Sequence, residues 1–262
     1  MLRDQQCYEV SPTRYLETSP DRESDDDCKT ALIILNQPIA DIEVLGRLWK
    51  HAGYRLCADG GANQLYELFN DKPDLRSSFL PSIIHGDLDS LRNDVEQYYR
   101  DQGVEVTKDP DQYSTDFGKG IKQILRDQPS VRHFLVLGTI AGRLDQGIGL
   151  LGEMYREQHS KHHPGIRLWL FSESSISFIL DAGKTVIHSP LAQGLITRNI
   201  GILPVYGPAH ITTQGLEWDV QDWPTHMGGQ ISTSNHIVED QITIETDTEV
   251  LFTVERNCET SG

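Results

Sequence analysis

Four short segments carry carboxylates or glycines where an apolar run gives way to a helical one: ADGGAN (58–63), GDLDS (86–90), DQYSTDF (111–117) and GTIAGRLDQ (138–146). In the second, Asp87 and Asp89 follow the run SIIHG and are separated by one residue. On an extended chain, side chains at i and i+2 share a face. Two carboxylates held about 5 Å apart repel by roughly 3 kcal/mol at an effective dielectric near 20. A cation between them removes that cost and a solvated turn avoids it, so the segment alone leaves both readings open. Asp116 follows Ser114 and Thr115, either of which suits the N-cap of a helix. As a first-turn acid it also complements the helix dipole. Asp59 precedes Gly60, Gly61 and Asn63 at the start of a helix, where the backbone can approach an anion closely. A Gly-Gly turn after a strand is also common for steric reasons alone. Gly138, Gly142, Arg143 and Asp145 span a glycine-rich loop that suits phosphate through close amides and a guanidinium. It is not a Walker P-loop, because the G-K-[ST] ending is absent.

The elements that must position these residues follow from the periodicity. Strands are expected at 31–36, 54–59, 82–87, 104–108, 133–138 and 167–172, with helices at 39–51, 61–70, 90–102, 116–127 and 144–158. Alternating β and α with compact connections implies a mostly parallel sheet covered by helices on both faces. Ligands of such sheets bind beyond the carboxyl ends of the strands, and all four motifs fall there. Acids at an anion-friendly edge are consistent with Mg²⁺, which takes a few carboxylates plus water and substrate phosphates. Residue chemistry alone therefore reaches a metal-dependent nucleotide enzyme, with Asp87 and Asp89 on the ion. Beyond about Ser174 the helical period disappears, and short β-branched runs separated by Gly, Pro, Asn or Asp predict an all-β sandwich. The expected organisation is an acidic disordered tail over 1–29, an α/β domain over 30–173 and a β-sandwich over 174–262.

The chain has 262 residues and a net charge of −16, which argues against a nucleic-acid binder. Its longest apolar runs are far too short to cross a bilayer, so no membrane partner is expected. The polar start MLRDQQCYEV reads as neither signal nor transit peptide, and the four cysteines lack disulfide or metal spacing. A cytoplasmic protein is expected, with Cys57 packed as a small hydrophobe. Residues 1–29 hold eight acids and four bases with almost no periodicity. His159, His162 and His163 are read as a solvent-facing cluster.

The four motifs, in this order and spacing, resemble the thiamine pyrophosphokinase family, as do GILPVYG, TTQGLEW and ISTSN in the β region. The resemblance spans about residues 30–256. It implies an N-terminal α/β domain, a C-terminal β-sandwich, and a homodimer with its active site at the subunit interface. It also implies pyrophosphoryl transfer from ATP to the hydroxyl of thiamine, giving AMP and thiamine diphosphate. By the same resemblance, Asp87, Asp89 and Asp116 are the metal-centred carboxylates, and Gln112 lies near thiamine and the transferred phosphates. Asp59, Gly60, Asn63, Gly138, Arg143 and Asp145 resemble nucleotide contacts, with Lys119 adding charge. Trp218 resembles an aromatic wall for the thiamine rings, and Ser232, Ser234 and Asn235 resemble contacts to the aminopyrimidine. Two positions depart from the family pattern: Tyr113 stands where a further acid is frequent, and Gly118 where a larger residue is more usual. The rival readings are a pyrophosphokinase acting on another alcohol such as a pterin carbinol, a glycosyltransferase using D-x-D, and a non-catalytic nucleotide-sensing module.

Overall fold

Short apolar runs bounded by polar turns become the strands of two separate units in the computed structural model, which describes residues 7–19, 29–140 and 143–258. One unit runs from Thr18 to Glu173; the other joins the N-terminal residues through Glu17 to the chain from Ser174 onward. Strand β1 (Cys7–Val10) belongs to the second. The first contains β2 (Thr30–Ile34), α1 (Ile42–His51), β3 (Tyr54–Ala58), α2 (Gly61–Leu68), α3 (Pro73–Arg76), β4 (Ile83–Gly86) and α4 (Asn93–Asp101). It continues with β5 (Glu105–Lys108), α5 (Asp116–Asp127), β6 (His133–Leu137), α6 (Leu144–Gln158) and β7 (Arg167–Phe171).

All pairings within this unit are parallel, in the order β7-β6-β2-β3-β4-β5. Every residue of β2 is buried, the signature of a strand covered on both faces. The chain steps from β2 through β3 and β4 to β5 in one direction, then returns to β6 and β7 on the far side of β2. Right-handed crossovers consequently put α1, α2 and α4 on one face and α5 and α6 on the other, and α2 packs on α4 while α5 packs on α6. The strand order reverses between β2 and β6, which makes the carboxyl edge beside them the place for a ligand. Helix α5 lies across β2, β3 and β4, burying Phe117, Ile121 and Ile124. Gly120 lets it lie close, since a Cβ there would sit 3.1 Å from Leu56 Cδ2.

The second unit adds β8 (Ser175–Leu180), β9 (Gly183–His188), β10 (Ile196–Leu203), β11 (Ala209–Gln214), β12 (Trp223–Thr225), β13 (Ser232–His236), β14 (Gln241–Thr246) and β15 (Val250–Arg256). Its strands pair as β1-β9-β14-β11-β12 and as β13-β10-β15-β8. Along β14 the residues Ile242, Ile244 and Thr246 are buried and their neighbours are not, the alternation of a sheet with one covered face. The expected classes, α/β with a parallel sheet and then all-β, are those observed.

The expectation of a disordered tail over 1–29 is corrected for the described part of that segment. Residues Cys7–Val10 pair in parallel with Lys184–Ile187 of β9, and Thr13, Tyr15 and Leu16 are buried. A four-residue strand is too short for its period to register in composition, and its pairing partner lies far along the chain. Residues 1–6 and the acidic stretch 20–28 lie outside the described residues. Leu16→Ala is expected to cost roughly 2–5 kcal/mol of stability, read from urea denaturation; an unchanged midpoint would return this segment to a loose tail.

Candidate functional site

Strands β3 and β4 and helix α5 end or begin at the same sheet edge and bring three acids together. Ligand oxygens of Asp59, Asp87 and Asp116 all lie within 4.8 Å of one another. Beneath them is Lys119, 1% exposed, whose Nζ lies 3.4 Å from Asp87 Oδ2 and 3.3 Å from Asp116 Oδ1. Burial disfavours the ammonium, but the hydrogen bond and charge of Asp116 and those of Asp87 outweigh it and hold the group above its ordinary pKa. Three carboxylates against one ammonium leave two negative charges uncompensated. Hard oxygen donors with that residual charge suit a divalent cation such as Mg²⁺. Gly86 keeps the group compact: a Cβ there would lie 2.9 Å from Asp59 Cβ and 3.0 Å from Asp116 Oδ1.

Asp89 stands outside this trio. Strand β4 stops at Gly86, and Leu88 takes a left-handed φ of 62°, so the chain is not extended across D-L-D and the shared-face expectation for Asp87 and Asp89 fails. Instead the Asp89 amide donates to Asp87 Oδ1 at 3.2 Å, closing a turn that leaves the Asp89 side chain exposed. The Asp87 amide donates to Asp116 Oδ1 at 3.3 Å, tying β4 to the start of α5.

Asp59, expected among the nucleotide contacts, is a buried organiser of the loop. It sits at a left-handed φ of 45°, and its two oxygens accept the amides of Ser90 and Leu91, each at 3.1 Å. Burial raises its carboxyl above the ordinary value, the hydrogen bonds from Ser90 offset this in part, and the charges of Asp116 and Asp87 add to it. Asn63 clamps the same loop, donating to Ser90 O at 2.8 Å and accepting from the Arg92 amide at 3.1 Å. Gly60 and Gly61 serve the chain's own packing: their absent Cβ atoms would meet Asn36 Nδ2 at 2.4 Å and the Ile34 carbonyl at 2.2 Å. The Gly138 amide is likewise taken, donating to Phe171 O at 3.1 Å. Arg143 and Asp145 are exposed and form a forked pair, Nη2 to Oδ2 at 2.6 Å and Nε to Oδ1 at 3.2 Å; each holds the other charged. Gly142 lies outside the described residues. Gln112 is exposed on a loop stiffened by Asp111, which accepts from the Tyr113 amide at 2.9 Å and the Ser114 hydroxyl at 2.5 Å.

In the second unit Trp218 is 54% exposed on a turn that polar side chains fix from below. Asp219 accepts from Thr213 Oγ1 and from the amides of Gly215 and Leu216 at 3.0–3.1 Å. Asn235, buried, accepts from the Trp218 amide at 3.2 Å and donates to its carbonyl at 3.0 Å. It therefore positions the indole, a role its expected place among ligand contacts did not anticipate. The His236 ring lies 5.2 Å from the indole, with Nδ1 2.5 Å from Glu217 Oε2. Ser232 is half-buried opposite Ile202. Ser234, left-handed at φ 58°, lies in a bulge and lines a cavity of about 470 Å³ with Ser175, Asn199, Thr233 and Glu255. The carboxyl of Glu255 is held below its ordinary value by the Thr197 hydroxyl and the Asn199 amide. Cys57 is buried as expected. His159 and His163 are engaged with Tyr155 and Glu157 rather than grouped as ligands.

Comparison with known proteins agrees with this division. The family described as thiamin pyrophosphokinase, catalytic domain, matches residues 45–166, and its vitamin B1 binding domain matches residues 184–251. Thiamine pyrophosphokinase 1 of Arabidopsis thaliana is 37% identical over 237 residues, covering 86% of this chain and 85% of its own. The crystal structure of yeast thiamin pyrophosphokinase superposes with a TM-score of 0.84 at 27% identity, over 95% of this chain and 91% of that one. Thiamin pyrophosphokinase from Candida albicans gives a TM-score of 0.79 at 28% identity, over 95% and 92%.

Asp59→Asn puts an amide donor against the Ser90 or Leu91 amide. A loss of about 1–3 kcal/mol is expected, with faster hydrogen exchange at Ser90 and Leu91. Unchanged exchange at both would mean that Asp59 does not hold the loop.

Proposed function

The chain belongs to the thiamin pyrophosphokinase family, and on that premise we propose that it transfers the pyrophosphoryl group of ATP to the hydroxyl of thiamine. The observation that carries this reading is the gathering of Asp59, Asp87 and Asp116 over Lys119, inside the segment matched by the catalytic domain. In the reaction a bond forms between the thiamine hydroxyl oxygen and the β-phosphorus of ATP. The bond from that phosphorus to the oxygen bridging to the α-phosphate breaks, that oxygen leaves on AMP, and the hydroxyl proton is released.

Asp87, Asp116 and Asp59 would hold Mg²⁺, with the exposed Asp89 on the solvent side; bound there, the ion supplies neutralisation along the triphosphate. Lys119 pairs with Asp87 and Asp116 at once and so helps hold them close. Arg143, at the N-terminus of α6 and free to exchange its exposed partner Asp145 for phosphate, is the residue we assign to the nucleotide. Gln112, on its braced loop, is assigned to the acceptor hydroxyl and the phosphates. In the β unit Trp218 offers a π-face to the cationic thiazolium, and Ser232 and Ser234 offer hydroxyls to the aminopyrimidine. The matched vitamin B1 binding domain favours thiamine over a pterin carbinol as acceptor.

We further propose a homodimer with the active site at the subunit interface. Ile140, Leu144 and Ile148 are exposed, the last two a turn apart on α6, and Tyr113 of the same unit lies open as well; exposed apolar side chains of this kind suit a second copy. A cytoplasmic location is proposed from Cys7 and Cys57, which remain thiols. No helix among the described residues is long and apolar enough to cross a membrane.

With ATP, Mg²⁺ and thiamine, AMP and thiamine diphosphate are expected in equal amounts; ADP with thiamine monophosphate would overturn the reaction, and no thiamine-dependent product would favour another acceptor or a sensing role. Asp116→Asn is expected to lower turnover by at least about 100-fold with the fold retained. Trp218→Ala is expected to raise the KM for thiamine roughly tenfold with little change in kcat; an unchanged KM would remove Trp218 from the acceptor site.

A further inference from the structure

Helix α6 buries two acids one turn apart, Glu153 and Glu157, although glutamates are seldom buried unless paired. Glu157 is 3.6 Å from Arg156 Nε and 2.8 Å from His163 Nε2. Glu153 pairs with Arg156 and, with its Oε2, accepts the hydroxyl of Thr115 at 2.7 Å. Thr115 is the N-cap of α5, and its Oγ1 accepts the Gly118 amide at 3.2 Å. A hydroxyl that donates to a carboxylate is polarised into a better acceptor. Glu153 thus fixes the one rotor that closes the first turn of α5, and the next residue in the chain is Asp116.

Gly118 makes this arrangement possible. A Cβ at that position would already touch Glu153 Oε2 and Glu157 Oε1, both at 3.4 Å, and Thr115 Oγ1 at 3.5 Å, so a branched side chain there crowds both carboxylates and the cap hydroxyl. The departure from the family pattern at Gly118 and the two buried acids facing it form one packing solution.

We propose that Glu153 is a positioning residue for the metal site: acting through the Thr115 hydroxyl, it holds the first turn of α5 so that Asp116 meets Asp59 and Asp87. The proposal rests on the reading of those three acids as the cation site. Its probe is Mn²⁺ alone, with binding to the full chain followed by electron paramagnetic resonance of the free ion, which requires no turnover. Glu153→Leu is expected to weaken Mn²⁺ binding about tenfold, the lower end of the usual effect of groups behind a ligand. Glu153→Gln retains an acceptor for Thr115 and is expected to stay within about twofold of wild type. Gly118→Val, which keeps Glu153 but displaces it, is expected to reproduce the loss and serves if Glu153→Leu does not fold. Wild-type affinity in Glu153→Leu or Gly118→Val would overturn the proposal while leaving the cation site standing, as would equal losses in Glu153→Leu and Glu153→Gln. If wild type binds no Mn²⁺, or Asp116→Asn binds it as tightly as wild type does, the cation reading fails and the proposal with it.

Discussion

A buried ammonium under three converging carboxylates is the constraint on which the α/β unit depends. Lys119 is buried, and its charge is met by Asp87 and Asp116, both within reach of its Nζ. Those acids repel each other and Asp59, so backbone geometry must act with Lys119 to keep them together. Gly86 permits the approach, the Asp87 amide ties β4 to Asp116, and the Thr115 cap orients α5. Loosening any one of these elements lets the carboxylates drift from one another and from Lys119. The parallel sheet serves this arrangement directly, because only parallel strands deliver β3, β4 and the start of α5 to one edge.

The β unit solves a different problem with the same means. A half-exposed indole gains little from burial and must be held by its backbone. Asp219 and Asn235 do this by saturating the amides and carbonyl of the Trp218 turn. Asn235, the buried one of the two, has its oxygen and its amide both engaged. A turn fixed in this way has little conformational freedom left to lose.

Much of the architecture was legible because fully buried parallel strands read as short apolar runs and the helices between them carry a clear period. Helices α5 and α6 fall on the expected residues, and strand ends differ by one or two positions. What the sequence concealed depends on backbone angles and on distant partners. The left-handed Leu88 separates Asp89 from the trio, and nothing in the residue type announces it. Asp59 and Asn63 were read toward a ligand because their hydrogen-bond partners, thirty residues on, have no local signal. Strand β1 was invisible for the same reason. The buried pairing of Lys119 could have been found, since three residues along a helix put its side chain over that of Asp116.

The site carries two kinds of glycine, and they explain why its signature is so rich in them. Gly60, Gly61 and Gly138 abut the chain's own atoms and would clash with any side chain, whatever ligand is present. Gly86 and Gly118 instead face the functional acids, one against Asp59 and Asp116, the other against Glu153 and Glu157. Replacing a glycine of the first kind disturbs the chain's own packing, whereas replacing one of the second kind crowds carboxylates. Because electrostatic energy varies steeply at separations of a few ångströms, a displacement of well under one side-chain length at Gly86 is enough to change which charges the site can hold. Steric room therefore sets how closely the carboxylates of this edge can approach one another.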